Sequence, residues 1–142
     1  MLDLFPKVVI LETSSRCNLR CPYCSVHQVT KSRKQPFMDS ELFHRLLKEC
    51  NTHDAVAWLN YMGEAMLHPQ FLDLLNLVEK VGTHCELESN GTLWTSEIIN
   101  CLVQSKLQRI IVTLEPTPEL FLSHRPKGDL QQVVQSLKKF ID

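Results

Sequence analysis

The chain is predicted to fold as an α/β protein with a parallel sheet built from four βα units. Short apolar runs alternate with amphipathic helical patterns four times along the chain. Repeats of strand, helix and strand imply right-handed crossovers, and so parallel pairing. Polar or glycine-containing segments follow three of the four apolar runs: residues 14–24, 63–68 and 89–91. Ligands gather at such strand ends in parallel α/β architectures.

The first strand is expected over residues 7–13. Val8-Val9-Ile10-Leu11 is a continuous apolar run, as in a strand buried on both faces. A helix follows over 39–50, with Leu42, Phe43, Leu46, Leu47 and Cys50 on one face and Asp39 as its cap. The second strand spans 55–61. The next helix starts around Pro69 and stops at Gly82, with Phe71, Leu72, Leu75 and Val78 as its apolar stripe. The third strand is 84–89, weaker in pattern. Thr95 caps a helix that carries Ile98, Ile99, Leu102 and Val103. The fourth strand, 109–114, is the clearest. Asp129 caps the last helix, which carries Leu130, Val133, Val134, Leu137 and Phe140; Lys138 and Lys139 complement the dipole at its end.

At 142 residues and 44% apolar, the chain reads as one domain, 1–142, that buries about 68% of its unfolded surface. It is too short for a complete eight-fold barrel, which needs roughly 200–250 residues. A net charge of −1 argues against a nucleic-acid or anionic-membrane partner. No apolar run approaches the ~20 residues of a spanning helix, and Asp3 and Pro6 stand where a signal peptide would be basic and then apolar. A cytoplasmic location is therefore expected, with six cysteines that are ligands or buried apolar groups rather than disulfides.

The longest connection, 14–38, holds the densest chemistry. Cys17, Cys21 and Cys24 form C-x3-C-x2-C directly after the first strand. Three thiolates at this spacing can wrap one corner of a cubic iron–sulfur cluster and leave one iron free to chelate a small molecule. Zinc is the other reading: His27 could complete a shell of three thiolates and one imidazole. Structural zinc usually uses two separated ligand pairs, which favours iron–sulfur, but spacing alone leaves both open.

Cys17-Asn18-Leu19-Arg20-Cys21-Pro22-Tyr23-Cys24 resembles the cluster loop of radical S-adenosylmethionine (radical SAM) enzymes. Further motifs fall in that family's order. Met62-Gly63-Glu64-Ala65-Met66-Leu67-His68-Pro69 is similar to its Gly-Gly-Glu-Pro segment after strand two. Ser89-Asn90-Gly91-Thr92 is similar to its Thr/Ser-Asn-Gly after strand three, and Val112-Thr113-Leu114-Glu115 to its Ser-Leu-Asp at the end of strand four. Met62, Ala65 and Glu115 depart from the family's glycine, proline and aspartate.

The resemblance implies a partial, truncated TIM-like barrel, the first four of the family's six βα units. It implies a [4Fe-4S] cluster on Cys17, Cys21 and Cys24 and SAM on the open iron. Reductive cleavage of SAM would then give a 5′-deoxyadenosyl radical that abstracts hydrogen from a substrate: a peptide, a protein or a cofactor precursor. Glu64 would accept from the SAM ammonium, Gly63 would let the backbone approach, and Tyr23 would lie near adenine. Asn90, Thr113 and Glu115 would lie near the ribose or methionine, and Arg125 near the SAM carboxylate. An external electron donor of flavodoxin or ferredoxin type is implied. The fourth strand would present an open edge, to be covered by a C-terminal region or by a second copy in a homo-oligomer. The alternative function is a non-catalytic or truncated module binding iron–sulfur or zinc.

Other residues have plainer readings. Cys50, Cys85, Cys101 and Trp58 read as core. Lys31, Arg33 and Lys34 read as a solvated basic loop. His68 precedes Pro69 at a helix start, where turn geometry explains it at least as well as catalysis. Glu12 and Glu88 read either as paired carboxylates or as substrate-positioning groups on the concave face of the sheet.

Overall fold

The computed structural model describes residues 4–29 and 33–141, so Lys31 lies outside the described residues. Four parallel strands form one sheet in the order β1-β2-β3-β4: β1 Val8–Ile10, β2 Val56–Trp58, β3 Cys85–Ser89 and β4 Arg109–Val112. Strand order follows chain order without reversal. A doubly wound sheet reverses at a switch point, whereas a barrel wall advances in one direction. The sheet is thus a partial TIM-like barrel, as the sequence predicts, and β4 forms one of its edges.

The helices are α1 Val26–Val29, α2 Ser40–Thr52, α3 Phe71–Val81, α4 Ser96–Gln104, α5 Pro118–His124 and α6 Leu130–Ile141. Capping explains several starts. Asp39 Oδ1 accepts from Leu42 N–H at 2.9 Å, Thr95 Oγ1 from Ile98 N–H at 3.2 Å and Asp129 Oδ1 from Gln132 N–H at 3.1 Å. Each such cap contributes about 1 kcal/mol. Gly82 closes α3 in the left-handed region with φ 76°. Pro69 precedes α3 but is not in it, because Ala65–Leu67 first makes a turn of 3-10 helix. The sequence reading overlooked α5, capped by Thr117 Oγ1 accepting from Leu120 N–H at 3.3 Å with Pro118 at its first position.

One face of the sheet carries the core. Leu11, Ala57, Leu59, Cys85 and Leu87 pack there against Phe43, Leu47, Leu74, Val78, Ile99 and Leu102 of the helices. Each fully buried Leu or Phe contributes roughly 1.5–3 kcal/mol. Cys50 and Cys85 are buried in this core as expected, and Cys101 packs at its margin. Burial pushes the Cys85 thiol up to about 12, so it stays protonated.

Successive strand residues alternate between faces, and the opposite face is open. Val8 and Ile10 are each 50% exposed, which corrects the expectation of a first strand buried on both faces. Trp58 shares that open face; it is partly buried and lies outside the core cluster. A continuous apolar run signals low polarity on both faces, but only the layers laid against a sheet decide whether both are covered.

Candidate active site at the strand ends

All four strands point their C-terminal ends at one open cleft of about 260 Å³. The first wall is the long loop after β1. Pairing continues past the strand, with Leu11 N–H donating to Trp58 O at 2.7 Å and Thr13 Oγ1 to Leu59 O at 3.0 Å. The loop's two ends then close on each other: Ser15 N–H donates to Pro36 O at 2.8 Å and Met38 N–H to Thr13 O at 2.9 Å. Buried Leu19 and Val26 anchor its middle. The base of the loop, residues 13–15 against 36–38, is thereby held backbone to backbone. Cys17, Cys21 and Cys24 are free, partly exposed, and all line the cleft.

The segment after β2 is zipped to this loop. Glu64 N–H donates to Arg16 O at 2.7 Å. A Cβ on Gly63 would lie 1.9 Å from Ser14 O, so no other residue fits there. The Gly63 requirement is set by the neighbouring loop. Glu64 itself is 2% exposed; Ser89 Oγ donates to its Oε1 at 2.9 Å and Asn90 N–H to its Oε2 at 2.8 Å. Burial pushes its carboxyl above the usual range, and these two donors oppose that shift. Ser89 Oγ also accepts from Trp94 Nε1 at 3.2 Å and Gly91 N–H at 3.1 Å. One carboxylate thus joins the ends of β2 and β3.

The fourth strand's side is built differently. Arg125, at the end of α5, donates from Nε to both carboxylate oxygens of Glu115, at 3.0 and 2.8 Å, and from its NH2 group to Thr113 Oγ1 at 2.9 Å. Phe121, fully buried, lies under the guanidinium with 5.8 Å to its ring centre. Tyr23, 63% exposed, reaches across from the cysteine loop and donates to Glu115 Oε1 at 3.3 Å.

Tyr23, Gly63, Glu64, Asn90, Thr113 and Arg125 therefore line one cleft with the three cysteines. Glu115 does not; it stands behind Arg125 as its counter-ion. Sequence reasoning gave no role to Asn18, Ser89 or Asn60. Asn60 lines the cleft and its Oδ1 accepts from Glu88 N–H at 2.8 Å. Ser89 and Asn18 each stand inside a quoted motif, the one signal that could have found them. Glu12 accepts from Met62 N–H at 3.1 Å and pairs with Arg33, and Glu88 lines the cleft. His68 is held in a turn: its Nδ1 accepts from Gln70 N–H at 3.0 Å, so Nε2 donates to Met38 O at 2.9 Å.

The donor set distinguishes the two metal readings. His27 turns Nε2 to the Leu19 carbonyl and does not line the cleft. Among the described residues, no three Cys, His, Asp or Glu side chains converge on one ion. Three free thiols that line one cleft, with the imidazole turned away, match the donor set of a cubane, whose thiolates bind separate irons. In the metal-free chain burial pushes the Cys17 thiol up, and Glu64, Cys21 and Cys24 add to the shift. The positive charge of iron would offset that cost.

The profile of the Radical SAM superfamily matches residues 11–142. A cofactor-modifying protein for tungsten-containing aldehyde ferredoxin oxidoreductase from Pyrococcus furiosus is 27% identical over 140 residues, covering 94% of this chain and 39% of that protein. PqqA peptide cyclase of Gluconobacter oxydans is 23% identical over 114 residues, covering 80% of this chain and 32% of the cyclase. Streptococcus suis SuiB bound to S-adenosylmethionine superposes with a TM-score of 0.80 at 16% identity, covering 96% of this chain and 31% of SuiB. Native anSMEcpe with bound AdoMet superposes at 0.76 and 21% identity, covering 94% and 40%. The chain therefore spans between about 30% and 40% of these proteins' length. At such identities the superpositions speak to fold, and the profile to family. Motif order, cleft and profile agree that the chain belongs to the radical SAM superfamily.

Proposed function

We propose that residues 1–142 form one domain that binds a [4Fe-4S] cluster and SAM and carries out reductive SAM cleavage. The supporting observation is the meeting of three free thiols and the Glu64 segment in one cleft at the strand ends. When bound, the cluster supplies one electron that breaks the sulfonium–carbon bond of SAM, leaving methionine and a 5′-deoxyadenosyl radical. Cys17, Cys21 and Cys24 hold the irons. Glu64 keeps a second lone pair on each oxygen and accepts from the SAM ammonium. Gly63 presses the β2 segment on the cysteine loop so that both face the ligand. Tyr23 covers the adenine side. Thr113 and Arg125 face the cleft, and Glu115 fixes the Arg125 guanidinium toward the SAM carboxylate.

The substrate is a peptide, protein or cofactor precursor. This class is favoured by the names of the relatives, which include peptide cyclases and a cofactor-modifying protein. A low-potential flavodoxin- or ferredoxin-type protein delivers the electron. The setting is cytoplasmic, where free thiols persist. No helix among the described residues is long and apolar enough to cross a membrane. A second reading is a module that binds without turnover.

Anaerobic reconstitution tests the proposal. A brown protein with about four irons per chain that releases 5′-deoxyadenosine with dithionite and SAM supports it. A colourless protein holding one zinc sinks it. An intact cluster with bound SAM but no 5′-deoxyadenosine supports the second reading.

A further inference from the structure

We propose that Asn90 donates a hydrogen bond to the Cys17 sulfur and thereby raises the reduction potential of the cluster bound there. The assignment rests on the reading of Cys17 as a cluster ligand. Asn90 is 8% exposed, and three neighbours fix its orientation. Its Oδ1 accepts from Thr92 N–H at 2.9 Å and from the Thr92 hydroxyl at 2.6 Å. Two donors on that oxygen identify the other end of the carboxamide as nitrogen. Nδ2 faces two acceptors: Asn18 Oδ1 at 3.0 Å and Cys17 Sγ at 3.9 Å. Asn18 completes a ring by donating from its own Nδ2 to Thr92 Oγ1 at 2.7 Å. The Asn90 backbone is held in turn by Glu64 Oε2 at 2.8 Å.

The resemblance places Asn90 near the SAM ribose or methionine. The ring occupies both lone pairs of Oδ1 and directs both Nδ2 hydrogens elsewhere, so the carboxamide has nothing left to offer a ribose hydroxyl. It does have a sulfur within reach. An N–H directed at a ligating thiolate withdraws electron density from it. That favours the reduced, more negative cluster, and hydrogen bonds to the sulfurs are among the levers that set cluster potentials. Asn90 is thus a positioning residue, acting through Cys17 rather than on the reacting atoms.

The experiment is an EPR-monitored redox titration of the anaerobically reconstituted protein and three variants. Asn90→Ala should lower the reduced-to-oxidised ratio at a fixed potential about tenfold, equivalent to about 59 mV for one electron. Asn90→Asp, which presents an oxygen to the sulfur, should shift it further in the same direction. Asn18→Ala breaks the ring but keeps the donor, and should stay within about twofold of wild type. An unchanged potential in Asn90→Ala overturns the proposal. So does an equal shift in Asn18→Ala, because the ring and not the donor would then be responsible. Loss of iron from both Asn90 variants with the fold retained by circular dichroism overturns it too, since tuning is not needed for assembly. Wild type that holds no cubane cluster overturns the underlying reading as well, and is told apart because it precedes any variant.

Discussion

The cleft has two unlike walls. The wall made by the ends of β1, β2 and β3 is held mostly by bonds between uncharged groups, backbone to backbone and amide to amide, around the buried Glu64 carboxylate. The wall at β4 rests on one ion pair, Arg125 with Glu115, bordered by an exposed tyrosine. In the first wall β2 and β3 are each flanked by strands on both sides and β1 is flanked by β2, whereas β4 has β3 on one side only. A group enclosed by neighbours must be satisfied by them, so its bonds interlock and single changes spread. A group at an edge can relax toward water. The two walls should therefore fail differently.

The largest effect is expected from Gly63→Ala. Its Cβ would stand 1.9 Å from the Ser14 carbonyl oxygen, and backbone cannot give way as a flexible side chain can. We expect a loss of about 3 kcal/mol in denaturant unfolding together with loss of iron on reconstitution. Normal iron binding in that variant would break the idea that the two loops are zipped together. Arg125→Met comes next. It strands Glu115 beside an apolar side chain and should cost about 2 kcal/mol, less than the roughly 3–5 of a fully enclosed pair because the site opens on the cleft. Iron content should stay at the wild-type level, and that contrast with Gly63→Ala is the sharper measurement.

The third effect is a slope rather than an offset. Burial raises the Glu64 carboxyl in the folded chain, so ionising it costs stability as pH rises through the folded value. Metal-free wild type should lose stability relative to Glu64→Gln between pH 4 and pH 7, read from paired thermal melts. A constant difference across that range would mean that Glu64 is not desolvated. The smallest effect belongs to Tyr23→Phe. Its hydroxyl bond to Glu115 is long and exposed, and its loss should stay within about 0.5 kcal/mol with iron unchanged.

Most of the first wall's ligands were legible along the chain. C-x3-C-x2-C is a local pattern, and the caps at Asp39, Thr95 and Asp129 act within four residues. Thr117-Pro118 carried the same kind of signal for α5 and could have been read. What binds one wall element to another was not legible. Gly63 is set against Ser14, 49 positions earlier, and Asn90 against Asn18. Nothing in either stretch announces the partner. The same holds for Val8 and Ile10, whose apolarity suggested a covered face that the sheet leaves open.

The resemblance of motifs in order implied the family, while composition and local pattern alone determined an α/β chain of four βα units and three thiols in one loop. These follow from short-range physics: the 3.6- and 2-residue periods, capping, and the spacing at which thiolates can share a cluster. The tertiary structure decided which face of the sheet is core, that Glu64 latches two strands together, that Glu115 serves Arg125, and that the Asn90 amide faces a sulfur. Those depend on groups that folding brings together from tens of residues apart, where burial leaves each polar atom only the partners the packing supplies.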